Sequence, residues 1–264
     1  MKKNKAFWFC YLLLLTVFIL LGTALSLRTA ELRRGNTFYE AFVGAEPGMT
    51  APSKAPASPE ASAVPEKREE ALNSPERHEL SLRLSQFGQT YPNAAIWLQL
   101  PGTPLDYPVM LGADNQFYLN HLPDGSKNAL GSLFLDYRTG EDSVHLIVYG
   151  HNGAGGTMFG LLRQYESQDY WLEHRALTVA TRDAVYICPI FSVRRVAADS
   201  SAYRLAFEGE NSLMEYINQA AAGSLYQTDV DLERGAGVLT LSTCTVWHSQ
   251  RLIVQALLPP VQSA

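Results

Sequence analysis

A mainly β domain, a β-barrel or strongly curved sheet decorated with helices, is the fold class that the sequence predicts. Beyond residue 93 the chain breaks into about eight short runs rich in β-branched and aromatic residues, punctuated by Gly, Pro and Asp. Only brief helical stretches interrupt these runs, and no internal repeat is present. With 47% hydrophobic and 18% charged residues among 264, the chain can bury one substantial core, so one folded domain is expected.

The N-terminal elements come first. Residues 7–27 form an uncharged apolar run preceded by Lys2, Lys3 and Lys5, and about 20 apolar residues suffice for a helix to cross a bilayer. Residues 1–6 are therefore expected to be a cytoplasmic N-terminus and 7–27 a single-pass transmembrane anchor, with the remainder extracytoplasmic. The run is longer than the apolar core of a cleaved signal peptide, which favours retention. Residues 28–73 are expected to be an extracytoplasmic spacer. From residue 44 the composition turns to Ala, Pro, Ser and Glu, too poor in large side chains to offset ordering entropy. Such a segment is expected to hold the folded domain, residues 74–264, away from the lipid surface.

Within that domain, Ser74-Pro75-Glu76 supplies an N-cap and a proline suited to the first helical turn, and Leu80, Leu84 and Phe87 follow on one face of the helix. Strands are expected over 96–100, 107–110, 132–135, 145–149, 178–180, 185–196, 238–243 and 252–258. Helical stretches are expected over 115–120, 158–165 and 212–222.

The formal net charge of −5 argues against a nucleic-acid footprint, which calls for a clustered basic surface. Cys10, Cys188 and Cys244 are too few and too scattered for a disulfide framework or a zinc site of closely spaced ligand pairs.

Val238-Leu-Thr-Leu-Ser-Thr-Cys244 alternates, so Cys244 shares the polar face with Thr240 and Ser242 while Leu239 and Leu241 face the other way. After a six-residue connection, 245–250, a second strand opens at Arg251, and a hairpin would return that guanidinium near the thiol. There it can favour the thiolate and donate hydrogen bonds to an oxyanion. Leu146-Ile-Val-Tyr-Gly-His151 is an apolar strand that presents an imidazole where scaffold meets loop. His248, in the loop after Cys244, is its rival as proton carrier, but a loop position lacks a partner to fix the ring. Gly153-Ala-Gly-Gly156 matches neither phosphate-binding glycine spacing and reads as a turn. A buried, structural Cys244 and an ordinary surface Arg251 remain open on these residues alone.

Longer segments add a resemblance. Trp97-Leu-Gln-Leu-Pro-Gly-Thr103 with Leu105-Asp-Tyr-Pro-Val109, then Asp114-Asn-Gln-Phe-Tyr-Leu-Asn-His121, then Gly131-Ser-Leu-Phe-Leu-Asp-Tyr137, resemble successive blocks of the class B sortases. Tyr149-Gly-His-Asn152 with Met158-Phe159, and Thr240-Leu-Ser-Thr-Cys244 with Arg251, resemble the catalytic blocks. The likeness covers residues 74–259 in order. It implies a closed β-barrel with a helix before it and another inserted late, over 212–222. It also implies a membrane enzyme of a Gram-positive type of cell, with Cys244 as nucleophile, His151 as acid/base and Arg251 stabilising the transition-state charge. By the same likeness Asn115, Leu119, Tyr149 and Ser242 contact a sorting peptide.

The implied reaction is cleavage of a C-terminal sorting signal containing asparagine and proline on surface proteins. A thioester at Cys244 would then pass to an amine of a cell-wall precursor, without metal or organic cofactor. A pilin lysine as acceptor, a cysteine peptidase using water, and a non-catalytic membrane-tethered binding module are the competing readings. Thr245-Val-Trp-His-Ser-Gln250 departs from the acidic residues common in the family after the cysteine, and Cys188, in a strand, reads as core packing.

Overall fold

The computed structural model describes residues 3–43, 75–140, 143–244 and 250–260. The spacer expected over 44–73, Ser74, and the loop 245–249 with Trp247 and His248 lie outside the described residues.

Eight strands stand where the sequence predicts them: β1 (Ala94–Gln99), β2 (Asp106–Leu111), β3 (Leu133–Leu135), β4 (His145–His151), β5 (Ala176–Ala180), β6 (Val185–Ala197), β7 (Gly237–Cys244) and β8 (Gln250–Leu258). They close into a barrel in the order β1-β2-β3-β4-β7-β8-β6-β5. The pairings are antiparallel except β2 with β3 and β4 with β7. Closure leaves no unpaired edge, which allows an almost wholly apolar inner face.

Alternation along the strands sorts side chains between two sides of the barrel wall. Leu98, Val109, Leu133, Val148, Val179, Cys188, Leu239, Leu241 and Val254 are buried together in the main core. The outward residues would be exposed without cover, and two helices supply it. Helix α2 (Pro75–Thr90) lays Leu80, Leu84 and Phe87 on Trp97, Met110, Phe134 and Ile147, as its apolar spacing requires. Helix α4 (Gly209–Ala222) lays Leu213, Tyr216, Ile217 and Ala220 on Phe191, Val238 and Leu257. Each fully covered leucine or phenylalanine contributes about 2–3 kcal/mol relative to exposure. A short helix α3 (Gln168–Glu173) buries Trp171 beside the core. The helical stretches expected over 115–120 and 158–165 are 3-10 turns, Phe117–Leu119 and Gly160–Glu166.

The N-terminal helix corrects one expectation. Helix α1 runs unbroken over Lys3–Val43, so residues 28–43 are helix and not spacer. Phe38, Tyr39 and Phe42 explain this. Tyr39 is buried against Tyr107, and Phe42 meets Phe87 edge-on, an apolar contact that stabilises helix well past the end of the membrane-length run. The barrel therefore packs directly on the continuation of the helix whose first part is long and apolar enough to cross a membrane.

Candidate active site

The parallel pairing of β4 and β7 sets the site. Its register runs from His145 beside Val238 to His151 beside Cys244. Along β4, Ile147 and Tyr149 belong to the outer cluster and Val148 to the inner one. His151 continues the outward series, and on β7 the same repeat leads from Thr240 through Ser242 to position 244. The β7–β8 hairpin is antiparallel, with Ser242 opposite Ile253. Cys244 and Arg251 each stand two residues beyond that pair, at the same end of the hairpin. The backbone thus gathers the three expected chemical residues at one end of neighbouring strands.

His151 ends its strand under tight local constraint. Gly150 has no room for a side chain: a Cβ there would meet Leu133, and would lie 2.7 Å from Cδ2 of Phe159. The His151 carbonyl accepts the Phe159 N–H, and Asn152 bridges to Met158. Met158 is buried and takes a left-handed φ of 51°. A bulky residue held in that region signals strain paid for by packing, here around Phe159.

The imidazole has a partner that no side-chain motif announces. His151 Nε2 lies 2.5 Å from the Leu119 carbonyl oxygen. A carbonyl oxygen can only accept, so Nε2 carries the hydrogen and Nδ1 is left with the exchangeable lone pair. Leu119 closes the 3-10 turn that Asp114 starts by accepting the N–H groups of Gln116 and Phe117. Those two backbone bonds hold the Asp114 carboxyl below its usual range.

Arg251 is held by ring faces. Its guanidinium carbon lies 5.9 Å from the centre of Tyr149 and 5.7 Å from that of Tyr203, and those two rings are near parallel, 6.2 Å apart. A planar cation over aromatic faces keeps its charge and a set direction. Both tyrosines are themselves tied down. Tyr149 Oη donates to Asp136 Oδ2 at 3.1 Å, and Tyr203 Oη bonds Ser242 Oγ at 2.9 Å. Burial, with the Asp136 charge adding to it, raises Tyr149 well above an ordinary phenol. Burial also opposes ionisation of Asp136, but the hydrogen bonds and charge of Arg138 outweigh it and keep that carboxyl low.

Of the expected peptide contacts, Leu119, Tyr149 and Ser242 border this end of the barrel. Ser242 is fully buried beneath Tyr203. Asn115 sits one turn away, where its side-chain oxygen accepts the Tyr137 N–H at 2.9 Å. It secures the loop next to Asp136.

Sequence reasoning missed Tyr203, the Asp136–Arg138 pair and the Leu119 carbonyl. Ser200, which caps the 3-10 turn Ser201–Tyr203 by accepting the Ala202 N–H, was the one local signal of a structured connection there. A second imidazole, His145, lies on the same strand but is spent internally. Its Nδ1 bonds the Arg204 carbonyl oxygen and its Nε2 the Thr240 hydroxyl, and burial pushes it down to about 4.

Residues 98–259 match the sortase domain family. The chain is 29% identical over 167 residues to sortase B of Listeria monocytogenes, covering 61% of this chain and 68% of that protein. The solved structure of the Listeria enzyme aligns with a TM-score of 0.58 at 29% identity, over 67% of this chain and 99% of that one. A Staphylococcus aureus sortase B-substrate complex shares the fold with a TM-score of 0.63 at 23% identity, over 75% of this chain and 99% of that one. With a family match across nearly the whole barrel and class B relatives in sequence and in structure, the chain belongs to the sortase family and is a class B cysteine transpeptidase.

Proposed function

We propose that this enzyme cleaves a C-terminal sorting signal of surface proteins through a thioester at Cys244 and passes the acyl group to an amine of a cell-wall precursor. The observation that carries the reading is the β4–β7 register, which seats His151 beside Cys244, together with Arg251 held over Tyr149 and Tyr203 at the same barrel end.

In this mechanism Cys244 passes its thiol proton to His151 Nδ1, the thiolate so formed attacks a backbone carbonyl of the signal, and Arg251 donates hydrogen bonds to the oxyanion that forms. Collapse breaks the C–N bond, and His151 gives the leaving amine its proton. The acceptor amine then attacks the thioester, His151 takes a proton from it, and the Cys244 thiolate departs. Nδ1 is the nitrogen that exchanges these protons, because Nε2–H is committed to the Leu119 carbonyl. Leu119, Asn115 and Tyr149 are proposed to border the peptide, with Ser242, buried beneath Tyr203, supporting that ring from below, and an asparagine- and proline-containing signal is the expected class. Helix α1 crosses the membrane once through residues 7–27 and leaves residues 28–264 outside. The segment 44–73 is a link within the extracytoplasmic part, and 74–264 carry the catalytic unit.

The test is intact mass spectrometry of the detergent-solubilised full chain with sorting-signal peptides and an amine acceptor. A peptide-sized adduct that needs Cys244 and disappears on adding a peptidoglycan-type amine supports the reading. Discharge only by a lysine side chain would replace the acceptor with a pilin-type one. No adduct with any peptide would overturn the catalytic assignment.

A further inference from the structure

The sortase family match begins at residue 98, yet helix α1, well upstream of it, packs on residues 128–132 of the matched region. Tyr39 is buried, and its hydroxyl donates within 3.0 Å of both the Gly131 carbonyl oxygen and Ser132 Oγ. Two turns earlier, the Glu31 carbonyl oxygen accepts from Asn128 Nδ2 at 2.8 Å, and the Glu31 carboxylate accepts the Ala129 N–H at 2.9 Å. Between them Gly35 is pressed against the barrel: a Cβ there would lie 2.9 Å from Asn128 Oδ1 and 3.0 Å from Leu130 Cδ2. Glu31, Gly35 and Tyr39 are spaced by four, so one helical stripe makes every one of these contacts.

The stripe's partners lead straight to the imidazole. Ser132 N–H donates to the Tyr118 carbonyl, Ser132 Oγ donates to the His121 carbonyl, and Asn128 N–H donates to the Asn120 carbonyl. Gly131, with φ at +63°, lies so close to the 3-10 turn that a Cβ would stand 2.6 Å from the Leu119 oxygen. That oxygen is the one that holds His151 Nε2. No step in the path is longer than a hydrogen bond or a van der Waals contact.

From this path we infer that the 31–39 stripe of helix α1 is a positioning element for catalysis, bracing residues 118–132 so that the Leu119 carbonyl keeps His151 in its Nε2–H tautomer. The inference rests on the assignment of His151 as acid/base. It makes the anchor helix part of the active-site scaffold, in addition to any role in the membrane. A proton carrier displaced by even about 1 Å loses a large part of its rate advantage, so loosening the stripe acts on the chemistry without touching a reacting residue.

The experiment compares full-length wild type with Tyr39→Phe, Gly35→Leu and His151→Ala in one detergent. It measures kcat/KM for signal peptide and the imidazole 15N NMR signature of the His151 tautomer. Tyr39→Phe keeps the ring against Tyr107 and removes only the hydroxyl, so its fold serves as the reference should the bulkier variant unfold. Gly35→Leu is expected to lower kcat/KM about tenfold or more and to mix the two tautomers, with a loss of about threefold for Tyr39→Phe, the scale of one hydrogen bond. A wild-type tautomer signal and rate in Tyr39→Phe would overturn the inference while leaving the site intact. Unimpaired activity in His151→Ala would instead overturn the site assignment on which it rests.

Discussion

His151 and Leu119 are 32 residues apart, yet the imidazole Nε2 of the first lies 2.5 Å from the carbonyl oxygen of the second. The contact joins the end of strand β4 to the 3-10 turn after β2. Because the partner is backbone, no substitution at 119 removes it directly. The residue that bears on it is Gly131, whose positive φ and absent side chain let the turn close.

Gly131→Ala should therefore impair both stability and rate. A methyl group would press on the Leu119 and Tyr118 carbonyl oxygens and force a β-carbon into the left-handed region, at about 1 kcal/mol or more. A lowered melting temperature with kcat/KM reduced about tenfold is expected. Thermal unfolding and steady-state kinetics on the same preparation check it, and wild-type kinetics would show that the Leu119 contact is dispensable.

Arg251→Lys should behave as a damaging substitution. The ammonium keeps the charge but loses the planar face that lies over Tyr149 and Tyr203 and the forked donors for an oxyanion. Losing one oxyanion donor costs about 10²-fold in kcat in other acyl-transfer enzymes, and a loss of that order is expected here with KM little changed. Single-turnover acylation kinetics measure it.

His145 ties stability to pH. Burial holds its folded-state value at about 4, against about 6.5 in an unfolded chain. Between those values the unfolded state binds the extra proton, so stability is fully present above about pH 6.5 and falls as pH drops toward 4. The loss attributable to this group is about 3 kcal/mol at the acid end. Denaturant titrations at pH 7.5 and 5 should show the decline. His145→Gln should flatten it, at the cost of lower stability throughout, because Thr240 and the Arg204 carbonyl lose the partner they share.

Cys188 should be inert toward alkylation in the folded protein. It is buried in the barrel core, and burial pushes its thiol up to about 12, so thiolate is scarce at neutral pH. Iodoacetamide at pH 7.5 followed by peptide mapping should modify Cys244 and leave Cys188 untouched until denaturant is added. Labelling of Cys188 in the native state would mean that the barrel opens readily.

Much of this was legible in the residues. The eight strands and both covering helices follow from period-two and period-3.6 placement of large apolar side chains. Leu80, Leu84 and Phe87 land on the barrel as their spacing requires. Alternation on β7 and the short hairpin to Arg251 also carried the grouping of Cys244 with Arg251, since both are near in sequence.

What the sequence determined by itself is thus the set of elements and the local chemistry at their ends, because side-chain periodicity and turn residues act over a few neighbours. Only the tertiary structure decided which carbonyl fixes His151, which second tyrosine faces Arg251, and that residues 28–43 are a docked helix. Each of those depends on contacts between segments brought together by barrel closure. Tyr203 reaches Ser242 across 39 residues and Tyr39 reaches Ser132 across 93. Backbone acceptors and ring faces leave no residue-type signature, so their partners are chosen by geometry once the core has formed.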